Sequence, residues 1–349
     1  MSERLVERKE WDFGIKNAEG EIEVRRMTSD TFAPESETPT FLSQAAPTII
    51  RPSRVKPRKR TDKLLADIGD LQYGFRRTER GLEPLHDEKA IDVTLQAIKD
   101  AQPDLILLGG DELDLGELSR WSPDSRDFID TLQVSIDGLH KLLAQLRADN
   151  PNARIVNLDS NHIQRIGKFM LKNAYPLFGV RQANMPNNWS VMSYPHLLRL
   201  DELEIEWNSG YPAIEYEVNE RLTARHGDKA SAKGSTAAMY LPELERSLLF
   251  HHTHRQESLT RTTQLGRYVT AFSFGCLTRT DGAVPSYGSS VDDRGRVVSR
   301  NENWQTGFGF VEYQEGDYPF SQTPVLINKQ DGYVARVNGK EFTPNGTWN

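Results

Sequence analysis

Leu248-Leu249-Phe250-His251-His252-Thr253-His254 is a short apolar run that stops abruptly in three histidines. The run reads as a buried strand. With side chains alternating along a strand, His252 and His254 fall on one side of its end, an arrangement suited to holding a metal. A local histidine cluster is just as readily a surface feature. What decides between the two readings lies upstream.

Three further apolar runs end in polar clusters. Lys63-Leu64-Leu65-Ala66-Asp67-Ile68-Gly69-Asp70 reads as a strand entering a loop that continues through Gln72 to Gly74. Asp104 to Leu108 reads as a second strand, running into Gly109-Gly110-Asp111-Glu112-Leu113-Asp114. Arg154 to Leu158 is a third, running into Asp159-Ser160-Asn161-His162. Between them the spacing predicts helices. One runs over 87–101, with Ile91, Leu95 and Ile98 on one face, and the other over 124–148, with Phe128, Leu132, Ile136, Leu139, Leu143 and Leu146. Pro103 and Asn150-Pro151 end them. Strand and helix alternating, with strands apolar throughout, predicts an α/β fold on a largely parallel sheet.

Residues 163–178 read as helical, 189–207 as loops with a strand, and 214–218 as a strand, with His226-Gly227-Asp228 opening a polar loop. Beyond His254 the chain reads as β: Tyr268 to Leu277, Gly307 to Tyr313, and a hairpin of Thr323–Ile327 with Tyr333–Val337 about Asp331-Gly332. Residues 1–60 differ. Glu21 to Met27 reads as a short strand, and Ser29 to Pro57, rich in Pro, Ser and Thr, as a flexible arm. The arm ends in the basic run Arg51 to Arg60, either a solvated tail or a handle for a polyanion. The expected division is therefore an arm over 1–60 and a catalytic domain over 61–349.

At 349 residues with a net charge of -7, the chain has material for a real core. Its overall charge does not favour non-specific nucleic-acid binding, although a local basic patch still allows it. A single cysteine, Cys276, rules out an intrachain disulfide and suits a reducing compartment. The charged start Met1-Ser2-Glu3-Arg4 does not read as a signal peptide, and no apolar run reaches membrane-spanning length. A cytoplasmic protein is the expectation; the oligomeric state is left open.

The polar clusters, Asp70-x-Gln72, Asp111-x-x-Asp114, Asn161-His162, His226-Gly227 and His252-x-His254, each follow an apolar run. The carboxyl ends of strands are where sites form in such sheets. The carboxylates, amides and imidazoles suffice for two divalent metals, and a metal pair clamps a phosphate. In this order the clusters resemble the calcineurin-like metallophosphoesterase superfamily, over residues from about 63 to the C-terminus, with the repair-exonuclease-like phosphodiesterases as the nearest branch. The resemblance implies an αββα sandwich of two facing mixed sheets flanked by helices. It implies that Asp70 and His254 hold a first metal, with Gln72 at a position usually filled by histidine. Asp111 would bridge both metals, and Asn161, His226 and His252 would hold the second. His162 would contact phosphate and protonate the leaving oxygen, and Asp114 would orient the first-metal ligands or their loop. Arg255 is a further candidate for phosphate contact.

Three departures from the family pattern stand out. Gln72 offers a weaker donor than imidazole, which favours manganese while leaving zinc, iron, magnesium or nickel open. Ile163 replaces the acidic residue after the histidine, so His162 needs another carboxylate, and Asp159 is one candidate. His251 replaces glycine. Asp67 reads as a strand residue with a hydrogen-bond partner. The expected function is metal-dependent hydrolysis of phosphate esters, preferentially DNA phosphodiesters. The alternatives are a small-nucleotide or phosphoprotein substrate and a non-catalytic scaffold.

Overall fold

The computed structural model describes residues 3–16, 22–34, 62–79, 81–119, 128, 130–185, 188–231, 235–282, 284, 290–291, 297–298 and 302–345. The chain divides into two units, Met1–Ile49 and Ile50–Asn349. In the first, β1 (Glu3–Lys16) and β2 (Ile22–Pro34) pair antiparallel, from Glu3 opposite Pro34 to Lys16 opposite Ile22, with an irregularity between Leu5 and Glu7. The short strand read at 21–27 is thus half of a long hairpin. Its partner went unread because Glu3–Lys16 is dominated by charged residues, with apolar alternation confined to Trp11, Phe13 and Ile15. The basic run at 51–60 lies outside the described residues.

The second unit opens with β3 (Lys63–Ile68), the small hairpin β4 (Phe75–Thr78) and β5 (Gly81–Pro84), helix α1 (Glu88–Ala101) and β6 (Leu105–Leu108). It continues through α2 (Leu132–Asp149), β7 (Arg154–Leu158), α3 (Gln164–Asn173), the single turn α4 (Tyr194–Leu197), β8 (Ile205–Asn208), β9 (Tyr216–Asn219) and β10 (Leu222–Arg225). Then come α5 (Thr236–Tyr240), β11 (Ser247–Phe250), β12 (Gln256–Thr262), β13 (Tyr268–Phe274), and the short β14 (Ser290–Val291) and β15 (Val297–Val298). Last are β16 (Gly307–Tyr313), β17 (Ser321–Leu326), β18 (Ala335–Val337) and β19 (Lys340–Phe342). One sheet has the order β17-β16-β3-β6-β7-β8, the other β12-β13-β11-β10-β9. In the first, β3, β6, β7 and β8 run parallel; in the second, β10, β11 and β13 do.

Alternation explains why these strands are apolar throughout. Leu64, Ala66 and Ile68 of β3 pack with Ile91 and Ile98 of α1 and Leu139 and Leu143 of α2. Leu65 faces the opposite way and joins Leu107, Val156, Leu249 and Phe272 in a core shared by both sheets. Leu248 and Phe250 face outward against Ala237 and Tyr240 of α5. With both faces covered, neither parity exposes a side chain to water. The result is the expected α/β fold, two facing mixed sheets flanked by helices. Asp87 caps α1, accepting from the Ala90 amide at 3.2 Å.

The β-rich tail serves both sheets, and one expectation about it changes. β12 and β13 join the second sheet, whereas β16 pairs antiparallel with β3 and β17 extends that first sheet. Residues 323–327 and 333–337 do not form a hairpin; only a single bridge joins Asn328 to Val334. β18 pairs instead with β19 across Asn338-Gly339, both at positive φ (49° and 78°), the geometry an Asn-Gly turn favours. Before His226, where a loop was expected to begin, β10 supplies an unread strand.

Candidate metal centre

The polar clusters converge where β3, β6, β7, β10 and β11 end. Two loops carry the ladder onward past their strands: Asp70 N donates to Gly110 O (3.0 Å), Gln72 N to Asp111 O (2.8 Å) and Tyr73 N to Glu112 O (2.7 Å). Asp70, Gln72, Asp111, His252 and His254 all adopt left-handed backbone, with φ between 46° and 77°. Non-glycine residues avoid this region, and their clustering here is local strain held by the surrounding hydrogen bonds. It also corrects the alternation argument for the histidines. β11 stops at Phe250, and left-handed turns, not period two, aim His252 and His254.

The two imidazoles accordingly reach different partners. His254 Nε2 lies 3.3 Å from Asp70 Oδ1 and 3.1 Å from the Gln72 amide. His252 Nδ1 lies 2.9 Å from Asn161 Oδ1, which is also 2.9 Å from His226 Nε2. Asp111 Oδ2 is 3.2 Å from that same His226 nitrogen. Asp111, His226 and His252 bring one ligand atom each to within 4.8 Å of one another. His226 Nδ1 donates to Gly109 O at 2.9 Å, which turns its Nε2 towards Asp111 and Asn161. These are two groups of donors, Asp70/Gln72/His254 and Asn161/His226/His252, with Asp111 beside the second.

The electrostatics suit cations. Asp70 and Asp111 are both buried. Burial alone would raise their carboxyls, but the His254 imidazole beside Asp70, and His162 and His226 beside Asp111, outweigh it and hold both below the usual range. Burial likewise opposes charge on His226, yet Asp111 drives it up to about 9. His252, without a carboxylate so close, is pushed down by burial to about 4. Among the described residues, the buried Asp70 Oδ1 and His254 Nδ1 find no hydrogen-bond partner. Paired buried carboxylates, convergent imidazoles and orphaned polar atoms fit two divalent cations.

His162 lies against this group. Its backbone N donates to Asp111 Oδ1 (3.0 Å), its Nε2 is 3.7 Å from Asp111 Oδ2, and its Nδ1 is 3.5 Å from Asp114 Oδ1. The carboxylate nearest the ring's Nδ1 is thus that of Asp114, close enough for an ion pair but not hydrogen-bonded to it. Asp159 does not reach the ring: its oxygens accept from Ser160 N, Gln164 Nε2, Gly210 N and Tyr211 N. Burial lowers His162 to about 3 and raises Asp114 to about 6. Arg255 donates from Nη1 to Ser231 O (2.9 Å).

Several contributors were not read from sequence. Ser160 Oγ accepts from Asp111 N (2.9 Å), and Arg165 Nη1 donates to Asp114 O (2.7 Å). The Trp304 ring stands edge-on to His254, centroids 4.3 Å apart, and Tyr211 stands beside His226 at 6.0 Å. The third histidine, His251, continues the inward parity of Leu249 and sits between the sheets, with Nε2 3.2 Å from Asp67 Oδ1. Burial opposes its charge, but the Asp67 carboxylate outweighs burial and raises it. The ring fills space left by two glycines. A Cβ on Gly109 would lie 2.2 Å from His251 Nε2, and one on Gly69 2.5 Å from Nδ1. Asp67 thus has an ion-pair partner in place of the hydrogen bond expected of it.

No family model matches the chain, and no curated protein is significantly similar to it in sequence. Among solved structures it is similar to Yfce, a phosphoesterase from E. coli, at 11% identity and a TM-score of 0.30, covering 74% of this chain and 98% of that one. It is also similar to a dimetal phosphatase from Danio rerio, at 8% identity and a TM-score of 0.30, with the same coverage. Superpositions this loose carry no assignment of activity. Among the described residues, no helix is long and apolar enough to cross a membrane.

Proposed function

We propose that this chain is a metal-dependent phosphoesterase that hydrolyses phosphodiesters, with nucleic acid as its preferred substrate. The observation that carries the reading is the convergence of Asp70, Gln72, Asp111, Asn161, His226, His252 and His254 at five strand ends, with two buried carboxylates among them. Asp70, Gln72 and His254 would hold one cation, Asn161, His226 and His252 the other, with Asp111 shared. Two such cations, when bound, draw charge from phosphate oxygens and acidify an attacking water.

The rest falls to side chains. The Asp114 carboxylate stands 3.5 Å from His162 Nδ1, on the side of the ring away from the Nε2 that faces Asp111. Burial keeps that imidazole neutral, and an arriving phosphate anion opposes burial and favours its protonation. His162 then gives the proton to the leaving oxygen. Gln72, in place of an imidazole, makes the first position the weaker one and favours manganese.

The preference for nucleic acid draws on the basic run Arg51 to Arg60, which comes shortly before β3 in sequence. A manganese-supplemented panel of single-stranded DNA, duplex DNA, cyclic nucleotides and a phosphopeptide tests it. DNA cleavage that falls steeply with salt supports the reading, because phosphate contacts release counterions. Turnover confined to a small phosphoester and insensitive to salt overturns the DNA preference. Inertness towards every substrate with every divalent metal favours the scaffold alternative.

A further inference from the structure

The stretch that follows His162 is unlike the rest of the surface. No acidic residue occurs between Asp159 and Asp201, in a chain with 50 of them. Over the same span lie Arg165, Lys168, Lys172 and Arg181. Among the described residues, Lys168, Lys172 and Arg181 form no ion pair with a carboxylate; Arg181 donates only to the Asn188 and Gly179 carbonyls. Eight of the exposed large apolar side chains also fall within residues 169–192, among them Phe169, Leu177, Phe178 and Met185. Tyr175 is 71% exposed and Phe178 50%. A surface this apolar on a water-soluble face calls for a partner.

The patch is built, not frayed. Ile166 and Met170 anchor the inner side of α3, leaving Lys168, Phe169, Leu171 and Lys172 outward. After a turn at 175–177 the chain folds back over α3. Phe178 comes to 3.8 Å from where a Cβ on Gly167 would sit, and Val191 N donates to Val180 O (2.9 Å). Arg165, on the first turn of α3, is tied to the Asp114 carbonyl beside His162. The patch therefore starts at the metal centre and leads outward from it.

Cations interleaved with exposed aromatic rings, without a carboxylate, match one chemistry: a flexible polyanion carrying flat bases. Lysine and arginine meet the phosphates and the rings stack on bases. We propose that α3 and residues 175–185 form a platform for single-stranded nucleic acid that delivers a phosphodiester to the metal centre. This rests on the phosphoesterase reading for its direction, but the platform is separable from it by experiment.

The test uses the full chain with manganese and a fluorescent, nuclease-resistant phosphorothioate oligothymidylate, measuring binding by anisotropy. Tyr175→Ala with Phe178→Ala is expected to weaken binding about tenfold or more, since each stacked base is lost with its ring. Lys168→Ala with Lys172→Ala is expected to lower the slope of log affinity against log salt by about 1.4, from two lost phosphate contacts. All four side chains are exposed, so hydrolysis of bis-p-nitrophenyl phosphate should stay at the wild-type rate in both variants. The platform is overturned if wild type does not bind the oligonucleotide, or if both variants bind it as tightly as wild type. It is equally overturned if the aromatic variant only loses self-association in light scattering, or only loses binding to anionic vesicles. Platform-dependent binding by a protein inert towards the small diester would instead sink the phosphoesterase reading alone.

Discussion

His251 and Asp67 show how one residue rewrites its surroundings. Each is about 1% exposed, and they meet across the space between the sheets, below the ligand loops. Removing one member of a buried ion pair strands the other. His251→Gly should therefore destabilise by about 3–5 kcal/mol. Adding Asp67→Asn should recover much of that loss, a coupling that a double-mutant cycle in urea measures directly. Additive losses would show that the two do not interact. The pair was only half legible in sequence. Asp67 was expected to have a partner, but nothing local marks a contact made 184 positions later. Six of the seven ligand candidates follow an apolar run, a pattern that survives without coordinates; His226 follows the mixed stretch Leu222-Thr223-Ala224-Arg225 and was reached through the family resemblance. The aim of the candidates was not legible, because left-handed backbone at Asp70, Gln72, Asp111, His252 and His254 leaves no periodic trace. At the same scale, Gln72→His places an imidazole beside His254 Nε2. Manganese titration by calorimetry should then show the weaker of two sites tightening, and unchanged isotherms would contradict the assignment of Gln72 to that site.

Elements with both faces buried were read well: β3, β6, β7, α1 and β11 lie where their apolar runs placed them. Elements with mixed environments were not. The strand at 222–225 and the charged strand at 3–16 lack a run long or apolar enough to register. Between β5 and α1, His86 shows an element held by a neutral imidazole. It stacks on Tyr73 with centroids 3.6 Å apart and lies 3.2 Å from Gly74 O, linking the two ends of the β4–β5 hairpin. Burial pushes it down to about 3 from an ordinary 6.5. The folded state thus binds fewer protons than the unfolded chain between these values. The stabilisation is complete above pH 6.5 and is lost as pH falls towards 3, at up to about 1.4 kcal/mol per pH unit. Chemical denaturation of wild type and His86→Gln across this range should show their difference shrinking as the solution is acidified. A difference that does not vary with pH would contradict a buried neutral His86.

For the whole molecule, two sheets face one another and their parallel strands end on one side, so loops distant in sequence share a site. Asp70 and His252 meet through a 3.0 Å hydrogen bond from the His252 amide, and Asp111 meets both His162 and His226. The central claim is that this meeting point hydrolyses phosphodiesters with the help of divalent cations. Its most direct measurement is the turnover of bis-p-nitrophenyl phosphate by chelator-treated protein as manganese is added back, comparing wild type with Asp111→Asn. The account predicts no activity after chelation, recovery as manganese is restored, and a loss of at least about 100-fold in the folded variant, which lacks the shared carboxylate. Turnover that survives chelation, or an Asp111→Asn protein as active as wild type, would contradict it.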